Sequence, residues 1–546
     1  MPRNRISAYV LAIILVAAVC IAVLNTGHYR SLTVADAAVT PPAGADVATW
    51  HNDIGRTGQN LKEKQLTWSS VNSETFGKLA LLTLDGKVDA QPLYLSNVSI
   101  AGKVHNVLLV ATEGDTVYAF DADTRALLWK KSVLLAGETP SDDHGCSQIT
   151  PQIGITATPV VNRYHAPNGL IYLVGMSRDA SGKYHQRLHI LDLPTGAEML
   201  GAPKEIRAQY PGTGDNHTGS TVIFDPSKYA ERSALLLSKG MVFISFTSHC
   251  DSRPYTGWVM NYGAYNPVQI SAFNLTPNGR EGAVWMAGAG LAADSAGNIY
   301  FLDANGTFDT TLTNGFPAHG DYGNCFMKLS TDSKLKLRVA DYFATHDTIS
   351  KSSADIDLGS GGVVLLPDVK DNSGNEHHLA VGAGKDSEIY VVDRDSLGKF
   401  NPSTNGNYQT LTNALPGGVW ASPAYFNGAV YYAGVNDTLK AFPISNGKLA
   451  GPSNRQSSNA FRYPGATPSI SANGSANGIV WAIENSGTAI LHAYKANDLS
   501  QELYNSNQAG TRDHFGGGNK FMVPTIANGK VFVGTPTGVA IFGLLK

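Results

Sequence analysis

A short phrase recurs along this chain and constrains its fold more than any other feature. Each clear copy consists of a small or polar residue, then Pro, then two mostly apolar residues. A turn and a second apolar run follow it. The five clear copies are Gln91-Pro92-Leu93-Tyr94, Thr158-Pro159-Val160-Val161, Ser422-Pro423-Ala424-Tyr425, Thr467-Pro468-Ser469-Ile470 and Val523-Pro524-Thr525-Ile526. Three degenerate copies between them are Ser220-Thr221-Val222-Ile223, Leu291-Ala292-Ala293 and Gly362-Val363-Val364-Leu365. Pro suits the head of a strand, because its missing N–H is harmless there.

These copies predict eight repeated units, with starts near residues 91, 158, 220, 291, 362, 422, 467 and 524. After its second strand each unit offers a third and a fourth, most clearly at Val117–Asp121 and Leu128-Trp129. With 57 Gly and only 16% charged residues, the composition suits short strands joined by tight turns. We therefore predict an all-β fold, an eight-bladed β-propeller of four-stranded antiparallel blades.

The last unit has only three strands before the chain ends, at Thr525–Ala527, Lys530–Gly534 and Val539–Phe542. An incomplete sheet would leave an exposed edge. Ahead of the first start, Phe76–Leu84 is a strand without a unit of its own. We predict that this N-terminal strand completes the last blade and closes the ring.

The N-terminus indicates export. Arg3 and Arg5 precede an apolar stretch from Ala8 to Leu24, which is typical of a signal peptide or an uncleaved signal anchor. Residues 1–37 are assigned to this segment, 38–49 to a linker and 50–546 to a single propeller domain. The sequence leaves cleavage and anchoring open, so we expect a periplasmic or extracellular protein that contacts a membrane only through an uncleaved N-terminal segment.

Charge and cysteine content limit the partners and cofactors. The net charge is −3, and the absence of a Lys/Arg-rich face argues against nucleic-acid binding. There is no Cys-x-x-Cys-His motif, so we expect no covalently attached c-type haem. Cys146 and Cys250 lie in loops that flank axial strands, and we predict a disulfide between them across adjacent blades, which leaves Cys325 as a buried thiol.

The segment Tyr118-Ala119-Phe120-Asp121-Ala122-Asp123-Thr124, followed by Trp129, resembles the pyrroloquinoline quinone (PQQ) repeat, with Arg125 in place of the usual Gly. The segments Trp50–Asp53 and Arg56–Asn60 are also similar to the opening of such proteins. The chain thus resembles exported PQQ-repeat-like propellers of the quinoprotein alcohol dehydrogenase-like superfamily. This resemblance implies the propeller fold over roughly residues 50–546, and it leaves open whether PQQ and Ca²⁺ bind.

If the family's cofactor does bind, it should lie at the ring axis, where the blade starts converge. Trp420 is then the aromatic platform, Lys385 a hydrogen-bond donor to the quinone oxygens, and Asp386 the base. Asn305 and Asp309 could give oxygen ligands to Ca²⁺. Each has a structural alternative: a Trp wedged between blades, a polar turn between strands, and an ordinary Asn-Gly loop.

Two functions follow. The first is a non-catalytic binding or scaffold protein of the cell envelope, with a protein, a glycan or a small molecule as its partner. The second is a PQQ- and calcium-dependent alcohol or sugar dehydrogenase. The absence of two adjacent cysteines, whose disulfide forms one wall of the quinone slot in many such enzymes, favours the first.

Overall fold

The structure, a computed structural model, describes residues 46–165, 167–199 and 201–546. The predicted signal segment, 1–37, and the first part of the predicted linker lie outside these residues. Within them, nearly all regular structure is β, in eight sheets of four to six strands and three smaller ones.

In each large sheet a first strand, here called the inner strand, is followed by antiparallel strands in chain order, except that the outer strand of sheet 8 comes from the early segment Phe76–Thr83. Sheet 1 contains Leu93–Ile100, Lys103–Thr112, Thr116–Asp121 and Leu127–Ser132. Sheet 2 contains Val160–Asn162, Leu170–Arg178, Tyr184–Asp192 and Lys204–Glu205, and also Thr139–Asp142 and Gln152–Ile153. Sheet 3 contains Leu236–Ser238, Met241–Ser248, Trp258–Gly263 and Gln269–Asn274, and also Tyr229–Ala230. Sheet 4 contains Ala292–Ala293, Ile299–Leu302, Cys325–Thr331 and Leu337–Ala344.

Sheets 5 to 8 repeat this arrangement. Sheet 5 contains Val363–Leu365, Leu379–Ala383, Ile389–Asp393 and Gln409–Leu411. Sheet 6 contains Ala424–Phe426, Ala429–Ala433, Asp437–Ser445 and Lys448–Leu449, and also Ala460–Phe461. Sheet 7 contains Ser469–Asn473, Ala476–Glu484, Ile490–Lys495 and Asp498–Asn505, and Gln59–Asn60 pairs with its first strand. Sheet 8 contains Thr525–Ala527, Lys530–Thr535, Gly538–Leu544 and the early strand Phe76–Thr83.

Shorter elements lie in the loops between these strands. The small sheets are formed by Gln209–Pro211, His217–Thr218 and Thr221–Ile223, by Leu312–Thr313 and Phe316–Pro317, and by Val369–Lys370 and Glu376–His377. The described helices are the α-helix Thr348–Ser353 and the 3₁₀ turns Pro226–Lys228, Met286–Gly288, Leu358–Ser360 and Gly510–Asp513. No helix of the described residues has the length and apolar character needed to span a membrane.

Seven of the predicted starts fall within two residues of an inner strand. The third start, at Ser220-Thr221-Val222-Ile223, is wrong: Thr221–Ile223 belongs to a small three-stranded sheet, and the inner strand of sheet 3 is Leu236–Ser238. This copy lacks the Pro that marks the clear copies, so a short run of apolar and β-branched residues in an inserted loop resembled a strand start.

The sheets pack face to face through strands that are apolar on both faces. Consecutive sheets share buried apolar clusters, including one that joins Phe532 of sheet 8 to Val107 of sheet 1 and Ile171 of sheet 2. Another joins sheets 7 and 8 around Trp481 and Phe542. Phe76–Thr83 pairs antiparallel with Gly538–Leu544, so the edge that the end of the chain would otherwise expose is covered.

Residues 47–60, termed the belt, connect the inner ends of all eight sheets. The backbone of Val47 pairs with Tyr94 of sheet 1, and Gln59–Asn60 pairs parallel with Ile470-Ser471 of sheet 7. The belt's other contacts, in sheet order, are Ala48 O with Val161 N, Arg56 with Leu235 O and Leu291 O, Ile54 O with Ala293 N, Gly55 O with Leu365 N, Thr57 O with Tyr425 N, Gly58 O with Ile470 N, and Asn60 Nδ2 with Ile526 O. Residues 47–49, predicted as linker, therefore belong to the fold.

Candidate functional site

A pocket of about 230 Å³ lies where the segments ahead of the inner strands of sheets 2 to 8 converge. This volume is slightly below the roughly 300–1,000 Å³ of typical ligand sites. Its lining residues are Asp143, Cys146, Gln148, Ile149, Ile153, Ala230, Arg232, Thr247, Ser248, His249, Cys250, Asp251, Trp285, Asp355, Asp357, Lys385, Trp420, Tyr463 and Phe521.

One wall is a disulfide. Cys146 and Cys250 form the predicted bond, with their Cα atoms 5.6 Å apart, and so join the loop ahead of sheet 2 to the loop after the second strand of sheet 3. Beside it the rings of His144 and His249 stack with centroids 3.8 Å apart. Burial, together with the neighbouring His144, lowers the pKa of His249 to about 3, so this ring is uncharged at neutral pH.

Aromatic side chains form the other surfaces. Trp285 and Phe521 contact each other with centroids 6.1 Å apart, and Trp420 meets Tyr463 edge-on at 5.7 Å. Indole and phenyl faces offer a flat ligand large contact areas. Trp420 therefore lies at the pocket where the sequence analysis expected an aromatic platform.

A lysine and two carboxylates face this pocket together. The Lys385 ammonium lies 2.8 Å from an oxygen of Asp355 and 2.7 Å from one of Asp357, and 5.9 Å from the ring of Trp420. Burial opposes the charge on Lys385, but Asp357 and Asp355 outweigh it and raise the pKa of this lysine. Burial raises the pKa of the Asp357 carboxyl, and Lys385 partly counteracts that shift.

Asn305 supports the two carboxylates from behind. Its backbone N–H donates to Asp357 at 2.7 Å, and its amide nitrogen donates to Asp355 at 2.9 Å. The amide oxygen is buried and accepts no hydrogen bond from any described residue. Asn305, Asp355 and Asp357 are thus neighbours, and carboxylate and amide oxygens are the kinds of ligand that Ca²⁺ prefers.

Two predicted site residues lie elsewhere. Asp386 pairs with Lys351 at 2.9 Å and accepts a hydrogen bond from the Tyr390 hydroxyl at 2.5 Å, so it is directed away from the contacts of its neighbour Lys385. Asp309 accepts hydrogen bonds from the backbone and the ring of His319. The structure therefore brings Lys385, Trp420 and the disulfide together at the pocket, with Asn305 behind its carboxylates, but not Asp386 or Asp309.

Sequence reasoning missed Arg232, Trp285, Asp357, Tyr463 and Phe521. All five lie four to seven residues ahead of an inner strand, the position from which Trp420 was selected. That placement is a usable signal once the inner strands are known. For Arg232 it was hidden by the misplaced third start.

A small chamber lies between the pocket and the belt. Its lining includes Trp50 of the belt and Asp89, and it shares Arg232 and Phe521 with the pocket. At about 10 Å³ it has room for a single water molecule.

The cysteines give a direct test of this geometry. We expect peptide mapping without reductant to recover Cys146 and Cys250 as one cross-linked pair. Cys325 should resist a thiol reagent until the protein is denatured, because its side chain is fully buried and burial, with Asp303 nearby, raises its pKa. A Cys146 peptide that runs alone, or equal labelling of Cys325 before and after denaturation, would contradict the structure.

Comparison with known proteins identifies the fold. No family model matches the sequence, and no curated protein matches it. The structure is similar to quinohemoprotein alcohol dehydrogenase ADHIIG from Pseudomonas putida HK5, at 14% identity with a TM-score of 0.60, covering 92% of this chain and 80% of that one. It is similar to quinohemoprotein alcohol dehydrogenase from Comamonas testosteroni, at 13% identity and a TM-score of 0.57, covering 92% and 80%.

A third similar structure is a europium-containing methanol dehydrogenase, at 12% identity and a TM-score of 0.57, covering 92% of this chain and 99% of that chain. At such identities a structural likeness establishes the fold alone. The chain therefore has a β-propeller fold similar to that of these three structures.

Proposed function

We propose that this protein is an exported, closed eight-bladed propeller that binds PQQ with a calcium ion in the pocket and oxidises an alcohol or a sugar. The apolar cluster shared by sheets 8 and 1, the pairing of Phe76–Thr83 with the last strand and the belt support the closed ring. The predicted N-terminal segment and the disulfide support export.

The observation that carries the proposed activity is the grouping of Lys385, Asp355 and Asp357 between indole faces and a disulfide. A flat, anionic quinone fits such walls, and a calcium ion would find carboxylate and amide oxygens at Asp355 and Asn305, which leaves Asp357 for another task. The similar structures are named alcohol and methanol dehydrogenases, which agrees with this chemistry.

When bound, the quinone supplies the hydride acceptor. This chain's residues have the other tasks. Asp357 is the better-placed base for the hydroxyl proton of the substrate, because it lines the pocket and Asp386 does not. Lys385 holds the Asp357 carboxylate in place and offers hydrogen bonds to an oxygen of the ligand.

One observation favours the non-catalytic alternative. Lys385 already pairs with both carboxylates, which leaves the pocket's charges partly satisfied without a cation. A binding or scaffold protein of the envelope, with an envelope protein, a glycan or a small molecule as partner, needs no free base. The two functions therefore differ in turnover rather than in binding.

The test is retention of PQQ followed by turnover. The purified protein is mixed with PQQ and CaCl₂ and desalted, and we expect quinone absorbance to remain with the protein and dye reduction with some members of an alcohol and sugar panel. Lys385→Met should weaken PQQ binding on the order of tenfold or more, because it removes a charge-assisted hydrogen bond. Lys448→Met is the matched control, since Lys448 also lies 5.9 Å from an aromatic ring, that of Tyr408, but outside the pocket.

The outcomes separate the hypotheses. Retention with turnover supports the dehydrogenase, and loss of binding in Lys385→Met but not in Lys448→Met assigns it to the pocket. Retention without turnover supports the binding protein. If the protein retains no PQQ, the proposed cofactor is wrong.

A further inference from the structure

Arg232 is a buried cation that forms no direct salt bridge with any residue the structure describes. Its side chain is among those that line both the pocket and the inner chamber, and the residue is 7% exposed. Its guanidinium lies 4.6 Å from the centre of the Phe521 ring. Asp89 and Glu113 are near enough to favour its charge, but no carboxylate of the described residues forms a salt bridge with it. A buried charge normally has a partner, because removing it from water is costly.

Lys520 adds a second positive charge at the same end of the pocket. Its ammonium donates to the Gln148 side chain at 3.0 Å and lies 5.4 Å from the Tyr463 ring, and both of these residues line the pocket. Burial, with Arg232 and Lys87 nearby, lowers the pKa of Lys520. The positive charges of Arg232 and Lys520 therefore repel each other, and an anion bound between them would offset this repulsion.

The neighbouring carboxyl groups do not supply that anion. Glu113 is fully buried and accepts hydrogen bonds from the Gly154 N–H at 2.7 Å and the Thr156 hydroxyl at 3.0 Å. Burial and the adjacent Asp89 raise the pKa of Glu113, which disfavours its charged form, and even two ionised carboxyl groups would be outnumbered by Arg232, Lys520 and Lys87. Asp89 is ionised but already pairs with Lys87 at 3.1 Å. Positive charge thus remains in excess at this end.

We infer that Arg232, with Lys520, binds a carboxylate of an aromatic ligand at the inner end of the pocket, next to Phe521. This inference rests on the proposed function in naming PQQ, which carries three carboxylates, as that ligand. A guanidinium suits a carboxylate because its N–H groups match the two oxygens in a bidentate pair. Lys385 lines the same pocket, but its charge is already shared between Asp355 and Asp357.

The test compares a charged ligand with its uncharged form. Quenching of tryptophan fluorescence reports the affinity of wild type, Arg232→Met and Arg232→Lys for PQQ and for its trimethyl ester. We expect Arg232→Met to weaken PQQ binding on the order of 10- to 100-fold, the range of a lost charge-assisted contact, and to change ester binding less than about threefold. Arg232→Lys should recover part of the loss. Added KCl should weaken wild-type binding of PQQ but not of the ester.

A second probe separates this inference from the proposed function. Benzene-1,3,5-tricarboxylate and its trimethyl ester present the same charge difference without a quinone. If PQQ does not bind but Arg232→Met abolishes binding of the tricarboxylate, the cofactor is wrong and the anion site stands. Arg338→Met, at an exposed arginine, controls for loss of charge in general, and circular dichroism checks that each variant is folded. If Arg232→Met binds both charged probes as wild type does, or if wild type binds neither, the inference is overturned.

Discussion

Replacing Arg56 by Met is expected to lower the free energy of unfolding by about 4 kcal/mol or more. The Arg56 side chain is fully buried, and its guanidinium donates to Leu291 O at 2.8 Å, Thr49 Oγ1 at 2.8 Å, Trp50 O at 2.9 Å and Leu235 O at 3.3 Å. Each buried acceptor left without a donor costs about 1–3 kcal/mol. Burial lowers the pKa of Arg56 only to about 10, so the side chain is still charged at neutral pH.

Urea denaturation followed by tryptophan fluorescence measures this effect. Arg338→Met serves as the control, because Arg338 is exposed and donates only to Ser330 at 3.2 Å, and we expect it to change stability by less than about 0.5 kcal/mol. Equal unfolding midpoints for the two variants would mean that the belt does not hold the sheets together.

The repeat made the sheets predictable, since the inner strands carry a local signal that needs no tertiary information. Pro at a strand head located five of them, as with Pro92 and Pro159. The role of the belt was not predictable. Gly55 and Thr57 contribute backbone carbonyl groups to sheets 5 and 6, and a backbone contact leaves no trace in side-chain identity.

The site was predictable only where a residue type is unusual by itself. Trp420 and the cysteines stood out, whereas Asp357 looked like any loop carboxylate until the fold placed it 2.7 Å from Lys385. Asp386 illustrates the opposite failure. It adjoins Lys385 in sequence, yet consecutive side chains in a turn diverge, and it pairs with Lys351 instead.

Phe76→Ala is expected to destabilise the protein by about 3–5 kcal/mol, the usual cost of removing a buried phenyl ring. The side chain is fully buried, and its ring lies 5.0 Å from that of Tyr504 and 5.3 Å from that of Trp481, so it packs this strand of sheet 8 against sheet 7. Leu81→Ala is the matched control, because Leu81 lies on the same strand but is 40% exposed, and it should cost under about 1 kcal/mol. If both variants unfold at the wild-type urea concentration, the strand Phe76–Thr83 does not support sheet 8. If Leu81→Ala costs as much as Phe76→Ala, the stability of this strand does not come from burial of the Phe76 ring.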